Sequence, residues 1–477
     1  LPANRGDSTL TIDVSMAPVP KFLSAVRVSD RAVCPDRESG GEALGLWEQA
    51  RAGLLATVVA RTERPARVRN LLYQRAIDAR SGKIISQTMT RSSGVSSQPF
   101  IASRPAHEFA RYGYMVEDAG GRTYFAPDAD VLLDPTFMTA HCFRIEVDDR
   151  QHGREIGLAF VPAPGRDTIV DVAGVLWLDR STLDLRTMEF HYTGLEPVVS
   201  PKQNGGFLVF RGMPNGLVFI ERWSILMPLL ERRVAANADA RLDPPRRLRR
   251  DVSVTQLHES GGELARATWP DAQWQATLGQ VKGRVVERGT GRPLKSVQIW
   301  LGGTYDGAIS DSAGAFAFEE LVPGPYTLKA ADTVLAEFEI SQSKSVALDV
   351  RREEPLTLTL EWRTLDEVVA DLCRDERGPA GAAILGRTRN ADGSPSSDVL
   401  FSAAWQANIM ITASGEISFR GISRNGRSDE KGIFHLCNVP REQRIGVRAT
   451  FAPQVLKDTS LVVGRDQPFT ILRITRP

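Results

Sequence analysis

From Glu42 to Ala60 the apolar residues Leu44, Trp47, Ala50, Leu54 and Val58 recur at steps of three and four, the period that lines side chains along one face of an α-helix. The pattern predicts one long helix there, with Glu48, Gln49 and Arg51 toward water and Gly40-Gly41 at its entrance. Beyond Arg67 the period drops to two. Strands are predicted at residues 71–79, 83–90, 123–126, 141–148, 155–162, 168–179, 187–192, 206–210 and 217–225, with turn signals such as Ser81-Gly82 and Asn215-Gly216 between neighbours. A large antiparallel sheet is the economical reading. The long helix is free to cover one face, and a short helix at His107–Arg111, after Pro105, would add to that cover.

Alternation also marks residues 8–15 and 25–29, which read as the closing edge of a β domain. Residues 229–251 break the pattern: Arg232, Arg233, Arg241, Arg246, Arg247, Arg249 and Arg250 crowd around Pro244-Pro245. This stretch reads as a charged connector, and Arg246, Arg247, Arg249 and Arg250 form a candidate anion patch because closely set guanidinium groups concentrate positive potential. From Val281 to Val350 short strands and tight turns return, about seven strands in all, the density of a compact sandwich. A second copy follows: Ser428-Asp429-Glu430-Lys431-Gly432-Ile433-Phe434 parallels Ser310-Asp311-Ser312-Ala313-Gly314-Ala315-Phe316, and Val439-Pro440 parallels Val322-Pro323. The expected division is a sandwich fragment at 1–30, an α+β antiparallel sheet domain at 31–228, an arginine-rich connector and edge segment at 229–275, a sandwich at 276–362 and a divergent second sandwich at 363–477. The fold class is mainly β.

The segments Val281-Lys282-Gly283-Arg284-Val285, Gly291-Arg292-Pro293-Leu294, Ser310 to Phe316 and Val322-Pro323-Gly324-Pro325-Tyr326 resemble the carboxypeptidase regulatory-like domain, a transthyretin-like β-sandwich. The resemblance implies an accessory, adhesion or interaction module of exported bacterial proteins or of TonB-dependent receptors, with a periplasmic, outer-membrane-associated or secreted location. It concerns the accessory domain of carboxypeptidases and carries over no catalytic zinc ligand. In the middle region, Gly174 to Asp179 followed by Leu183 to Phe190 resembles a strand-turn-strand of lipoprotein-carrier-like half-barrels. That resemblance implies a curved sheet around helices, able to hold acyl chains.

Composition narrows the classes. The 477 residues suit roughly three domains, and 42% apolar with 25% charged residues suits packed cores rather than disorder. A formal charge of +1 supplies no overall field for nucleic acid, which is not expected as a partner. No apolar run approaches the ~20 residues of a membrane-spanning helix. Cys34, Cys142, Cys373 and Cys437 fall two in the first third and two in the last hundred or so residues. Their distribution suggests one disulfide in each of two domains and hence export; four separate buried thiols is the alternative.

Catalytic chemistry finds little footing. The histidines His107, His141, His152, His191, His258 and His435 show no HExxH or paired spacing, and His141 beside Cys142 reads as two strand neighbours. Asp128, Asp130 and Asp134 lack the glycine and final glutamate of a calcium loop and read as solvated turn carboxylates. Ser92 to Ser97 reads as a polar loop, not a nucleophile elbow. Trp177, Trp223, Trp300 and Trp405 sit in strands and read as packing residues before sugar platforms. No catalytic residue, cofactor or metal site is expected. A non-enzymatic envelope or secreted protein binding protein, glycan or lipid is the first reading. A hydrophobic-ligand carrier or a hydrolase with accessory sandwiches is the alternative, and a cavity inside the large sheet would favour the carrier.

Overall fold

The computed structural model describes residues 34, 40–97, 103–118, 121–234, 250–332, 337–340, 342–376, 381–411 and 417–476. The sandwich fragment expected at 1–30 lies outside them, as do Arg246, Arg247 and Arg249 of the candidate anion patch.

The first half of the chain supplies helix α1 (Gly40–Glu63) and strands β1 (Arg67–Asp78) and β2 (Ile84–Val95). Helix α2 (Ala106–Tyr112) and the hairpin β3 (Met115–Asp118) and β4 (Gly121–Tyr124) come next, then helices α3 (Ala129–Leu133) and α4 (Pro135–Ala140). A meander follows: β5 (His141–Glu146), β6 (Glu155–Pro162), β7 (Asp171–Asp179), β8 (Leu185–Thr193), β9 (Gly205–Gly212), β10 (Val218–Val234) and β11 (Arg250–Thr268). Strand β12 (Gln273–Gln275) ends the region on β11. The strands hydrogen-bond in the order β2-β1-β11-β10-β9-β8-β7-β6-β5, and every pairing is antiparallel.

The alternating residues Leu158, Phe160, Val172, Leu176, Met188, Phe190 and Leu208 bury one face of this sheet against α1 to α4. Helix α1 runs where its period placed it, but the buried face differs. Ala43, Leu46, Trp47, Ala50, Leu54 and Thr57 are buried and Leu44 is 50% exposed, so the seam turns toward the small residues that allow close approach. Gly53 lies against Leu185, where a Cβ would sit 2.9 Å from the Leu185 Cβ.

Three expectations are corrected. The connector and edge-segment reading fails for the described part of 229–275: Leu229 to Val234 pair with Arg250 to Gln256, which extends β10 and β11, two neighbours in the interior of the sheet order. The arginines crowded around Pro244-Pro245 carry the charge pattern of a linker and hid the strands on either side. Residues 92–95 of the expected polar loop continue β2. Asp128 and Asp134 are helix caps, not turn carboxylates: Asp128 accepts from the Val131 amide at 2.9 Å and Asp134 from the Thr136 amide at 2.8 Å. Asp130 pairs with Arg61 at 2.7 Å.

The second half begins with β13 (Gly279–Glu287), β14 (Val297–Gly302), β15 (Gly307–Ile309), β16 (Ala315–Leu321), β17 (Gly324–Asp332), β18 (Ser343–Val350) and β19 (Leu356–Trp362). They form a sandwich of two sheets, β16-β13-β19 and β15-β14-β17-β18. Helix α5 (Leu365–Leu372) leads to β20 (Ala382–Asn390), β21 (Leu400–Ile411), β22 (Ile417–Arg427), β23 (Ile433–Val439), β24 (Arg444–Phe451), β25 (Gln454–Val462) and β26 (Phe469–Arg476). Their order, β23-β20-β26 and β22-β21-β24-β25, repeats that of the first sandwich, including the parallel pair of first and last strands. Local devices repeat too. The Ser310 and Ser428 hydroxyls accept from the Val297 amide, the first of β14, and from the Val399 amide, just before β21, both at 3.0 Å. Gly283 leaves room for Phe316 and Gly386 for Phe434.

The first sandwich is fused to the large sheet. Leu71, Tyr73, Met89 and Ala265, on the face away from α1, join Val281, Ile299, Phe318 and Tyr326 in one buried cluster. Polar groups close the same boundary: Arg75 donates to Gln87 at 2.6 Å, to Glu259 at 3.0 Å and to the Pro323 carbonyl at 2.5 Å. Arg91 pairs with Asp306 and donates to the Glu319 carbonyl at 2.8 Å.

Candidate functional site

The sheet therefore has α1 on one face and a sandwich on the other. Where the end of α1 rises from β1, β10 and β11, the cover is incomplete and a cavity of about 260 Å³ remains. Its floor is Val68, Asn70 and Leu72 of β1, Phe219 and Ile220 of β10, and Leu264 and Ala267 of β11. Thr57, Ala60 and Arg61 of α1 form the roof, with Asp128 and Ala129 at the start of α3 beside them. Trp269 closes one end, donating its indole N–H to the Arg64 carbonyl at 3.0 Å.

A bulge shapes the floor. Arg69 pairs with Arg266 but Asn70 pairs with Leu264, so Ala265 is an extra residue. Ala265 thus joins the sandwich-side core while Leu264 and Ala267 belong to the cluster with Ala60 and Trp269 under the helix.

The walls are mainly apolar, and the few polar groups are unevenly satisfied. Thr57 donates to the Leu54 carbonyl at 2.6 Å, and Ser96 accepts from the Ala66 amide at 2.9 Å. Arg61 donates through Nη2 to Asp130 at 2.7 Å. The buried Arg61 Nε and Asn70 Oδ1 have no hydrogen-bond partner. Burial pushes the Asp128 carboxyl above the ordinary carboxylate value, against the opposing effect of the Val131 amide.

Other residues singled out by sequence are dispersed. Cys34 is bonded to Cys142 on edge strand β5, and Cys373 at the end of α5 to Cys437 of β23, each pair with Cα atoms 5.6 Å apart. Arg250 begins β11. His141 is sealed: Nδ1 meets the Phe137 carbonyl at 3.0 Å, Nε2 the Val172 carbonyl at 3.1 Å, and Asp171 lies 3.4 Å away. Burial alone would raise the Asp171 carboxyl, but the His141 contact and the Arg166 bond at 2.5 Å outweigh it and hold it below the ordinary value. Trp177 is buried and stacked on His152 at 3.8 Å, whereas Trp300 is 39% exposed. Among the described residues no group of three or more His, Cys, Asp or Glu is placed to hold a metal. No described helix is long and apolar enough to cross a membrane, which says nothing of strands.

The cavity residues Arg61 and Asn70 carried no motif. The only signal was Asn70 at a strand position between Val68 and Leu72, a polar residue on the face that should be apolar.

The carboxypeptidase regulatory-like domain family matches residues 280–361, the first sandwich. No curated protein matches the chain. Among solved structures, the Bacillus anthracis TIE protein aligns over 85% of this chain and 83% of its own, with 8% identity and a TM-score of 0.20. A streptococcal ancillary pilin covers 57% of this chain and 81% of its own at 10% identity and a TM-score of 0.18. The shaft pilin SpaA from Lactobacillus rhamnosus GG covers 42% and 98%, at 8% identity and a TM-score of 0.16. Overlaps at these scores define no shared overall fold.

Proposed function

We propose that this chain is a non-enzymatic, extracytoplasmic binding protein that holds a hydrophobic ligand between α1 and the large sheet, with its two sandwiches as docking modules. The observation that carries the reading is the apolar cavity of about 260 Å³. Its size is just below the ~300–1,000 Å³ of typical small-molecule pockets, which suits one short chain or ring system. Two intrachain disulfides support an oxidising compartment. The half-barrel resemblance is compatible with helices lying on one face of the sheet, and the repeated strand order supports a second regulatory-like module at 382–476.

A role in docking is favoured by the first sandwich, where Trp300, Ile309 at 64% exposure and Tyr305 at 95% exposure face solvent. Arg246, Arg247 and Arg249, together with Arg250 at the start of β11, are read as a contact for an anionic envelope surface. Mass spectrometry of solvent extracts from protein isolated out of its native compartment tests the binding role. A stoichiometric hydrophobic compound is expected; protein that is fully folded and free of any such compound, and that takes up none from an envelope lipid extract, contradicts it.

A further inference from the structure

A second opening lies beside the first sandwich: a cleft of about 370 Å³ between β9, β10, β12 and the turn that joins β18 to β19. Three arginines line it, Arg211, Arg222 and Arg352. The strand register gathers them. Arg222 of β10 lies directly between Val209 of β9 and Glu263 of β11, and directly opposed residues share a face with Cβ atoms about 4.5–5.5 Å apart. Arg211 is two residues from Val209 and so stands on the same face. Glu263 lies opposite Leu71 of the shared core, so this is the face that carries the sandwich. From the sandwich, Arg352 reaches Glu263 through Nη2 at 2.7 and 2.9 Å.

Two of the three guanidinium groups already have their counter-ions. Arg211 donates through Nε to Glu221 at 2.8 Å. A bulge at Glu221, where Ile220 pairs with Phe210 but Arg222 with Val209, brings that carboxylate to the same cleft. Arg352 is held by Glu263 and donates to the Thr277 carbonyl at 2.8 Å. Arg222 has no such partner: no hydrogen bond or ion pair joins it to a described residue, the exposed Glu353 at the mouth included. Its Nε is buried, but its two Nη groups, equally unpartnered, are not, so the outer edge of the guanidinium opens on the cleft.

A half-buried charge without a counter-ion is unfavourable, and the group that relieves it is an oxyanion. A guanidinium takes a carboxylate or phosphate through two parallel N–H donors, which Nη1 and Nη2 supply. A cation would be repelled, and an uncharged molecule would leave the charge uncompensated. The cleft volume lies within the ~300–1,000 Å³ of small-molecule sites. We propose that this cleft binds a small oxyanion, the carboxylate or phosphate head of a small molecule, on Arg222, between walls fixed by the Arg211–Glu221 and Arg352–Glu263 pairs. The site is separate from the apolar cavity and stands or falls without it.

The test is titration calorimetry of the full chain, both disulfides formed, at neutral pH with ionic strength held constant by chloride. Inorganic phosphate and succinate, both much smaller than the cleft, are titrated separately. One-to-one binding of at least one is expected, and the tighter of the two tells a phosphate head from a carboxylate head. Arg222→Gln is expected to weaken binding at least tenfold, whereas Arg448→Gln, at an exposed arginine of the second sandwich, should leave it unchanged. The unmodified chain gives a reading that needs no variant, because its Tm should rise with the concentration of the bound anion. Equal affinity in Arg222→Gln, or equal losses in the two variants, overturns the assignment to Arg222. Binding of neither anion by the unmodified chain, or a Tm indifferent to both, overturns the site itself.

Discussion

Met89 of edge strand β2 donates its amide to the carbonyl of Gly303 at 2.7 Å, so the large sheet and the first sandwich are joined by main chain as well as by a shared core. Gly303 has a φ of +84°, and a Cβ there would lie 2.2 Å from the Gln87 carbonyl oxygen. Position in the left-handed region and close approach both require glycine. Gly303→Ala is expected to lower stability by about 1–3 kcal/mol, seen as a fall in Tm. Gly212→Ala, where nothing lies within 4 Å of the added carbon, is the control and should change little.

Arg75 and Glu259 lie at the same boundary, each side chain 13% exposed and the pair 3.0 Å apart. Glu259 also accepts from Ser224 at 2.7 Å and from Tyr73 at 3.3 Å. Removing the carboxylate leaves the arginine buried with fewer acceptors. Glu259→Gln is expected to cost about 3 kcal/mol in urea unfolding, and the double variant with Arg75→Met should cost less than the sum of the two singles.

Asp171 gives the sheet domain a pH dependence. Its folded pKa lies below the ordinary 3.8 although burial opposes this, because His141 and Arg166 favour the charged form. A depressed carboxyl contributes stability that is present above the ordinary value and is lost as pH falls through the folded one. Thermal melts in acid should show Tm falling below about pH 4, and Asp171→Asn should start lower at neutral pH and fall less steeply. Parallel curves for the two proteins would refute the linkage.

The Cys373–Cys437 bond closes a separation of 64 residues and ties α5 to the second sandwich, where both cysteines are buried with Val368, Val369 and Leu385. Cys373→Ser with Cys437→Ser is expected to cost about 2–4 kcal/mol on denaturant unfolding under oxidising conditions. Under strong reduction the difference between variant and parent should disappear.

Strand positions in the large sheet were legible where Met188, Phe190 and Tyr192 alternate with half-buried or exposed neighbours over a short local run. The repeat of strand order was legible because the turns need particular residues: Gly314 and Gly432, at φ of +70° and +74°, follow Asp311 and Asp429 at the same spacing. The pairing of β10 with β11 was not, since Arg232 and Arg250 sit on a ribbon whose charge pattern resembles that of a linker. The helices after Asp128 and Asp134 are too short for a period to show. The significance of Asn70 was hidden because its environment depends on the bulge at Ala265, almost 200 residues away in sequence.

The most direct measurement is titration calorimetry of 1-octanol binding to the full chain beside Ala60→Phe, a change that places a ring in the cavity roof while both proteins keep the same far-ultraviolet circular dichroism. Saturable binding by the parent, with affinity at least tenfold weaker in Ala60→Phe, is the expected result. Equal affinity in the two proteins, or no binding by either, would contradict a hydrophobic site between α1 and the sheet.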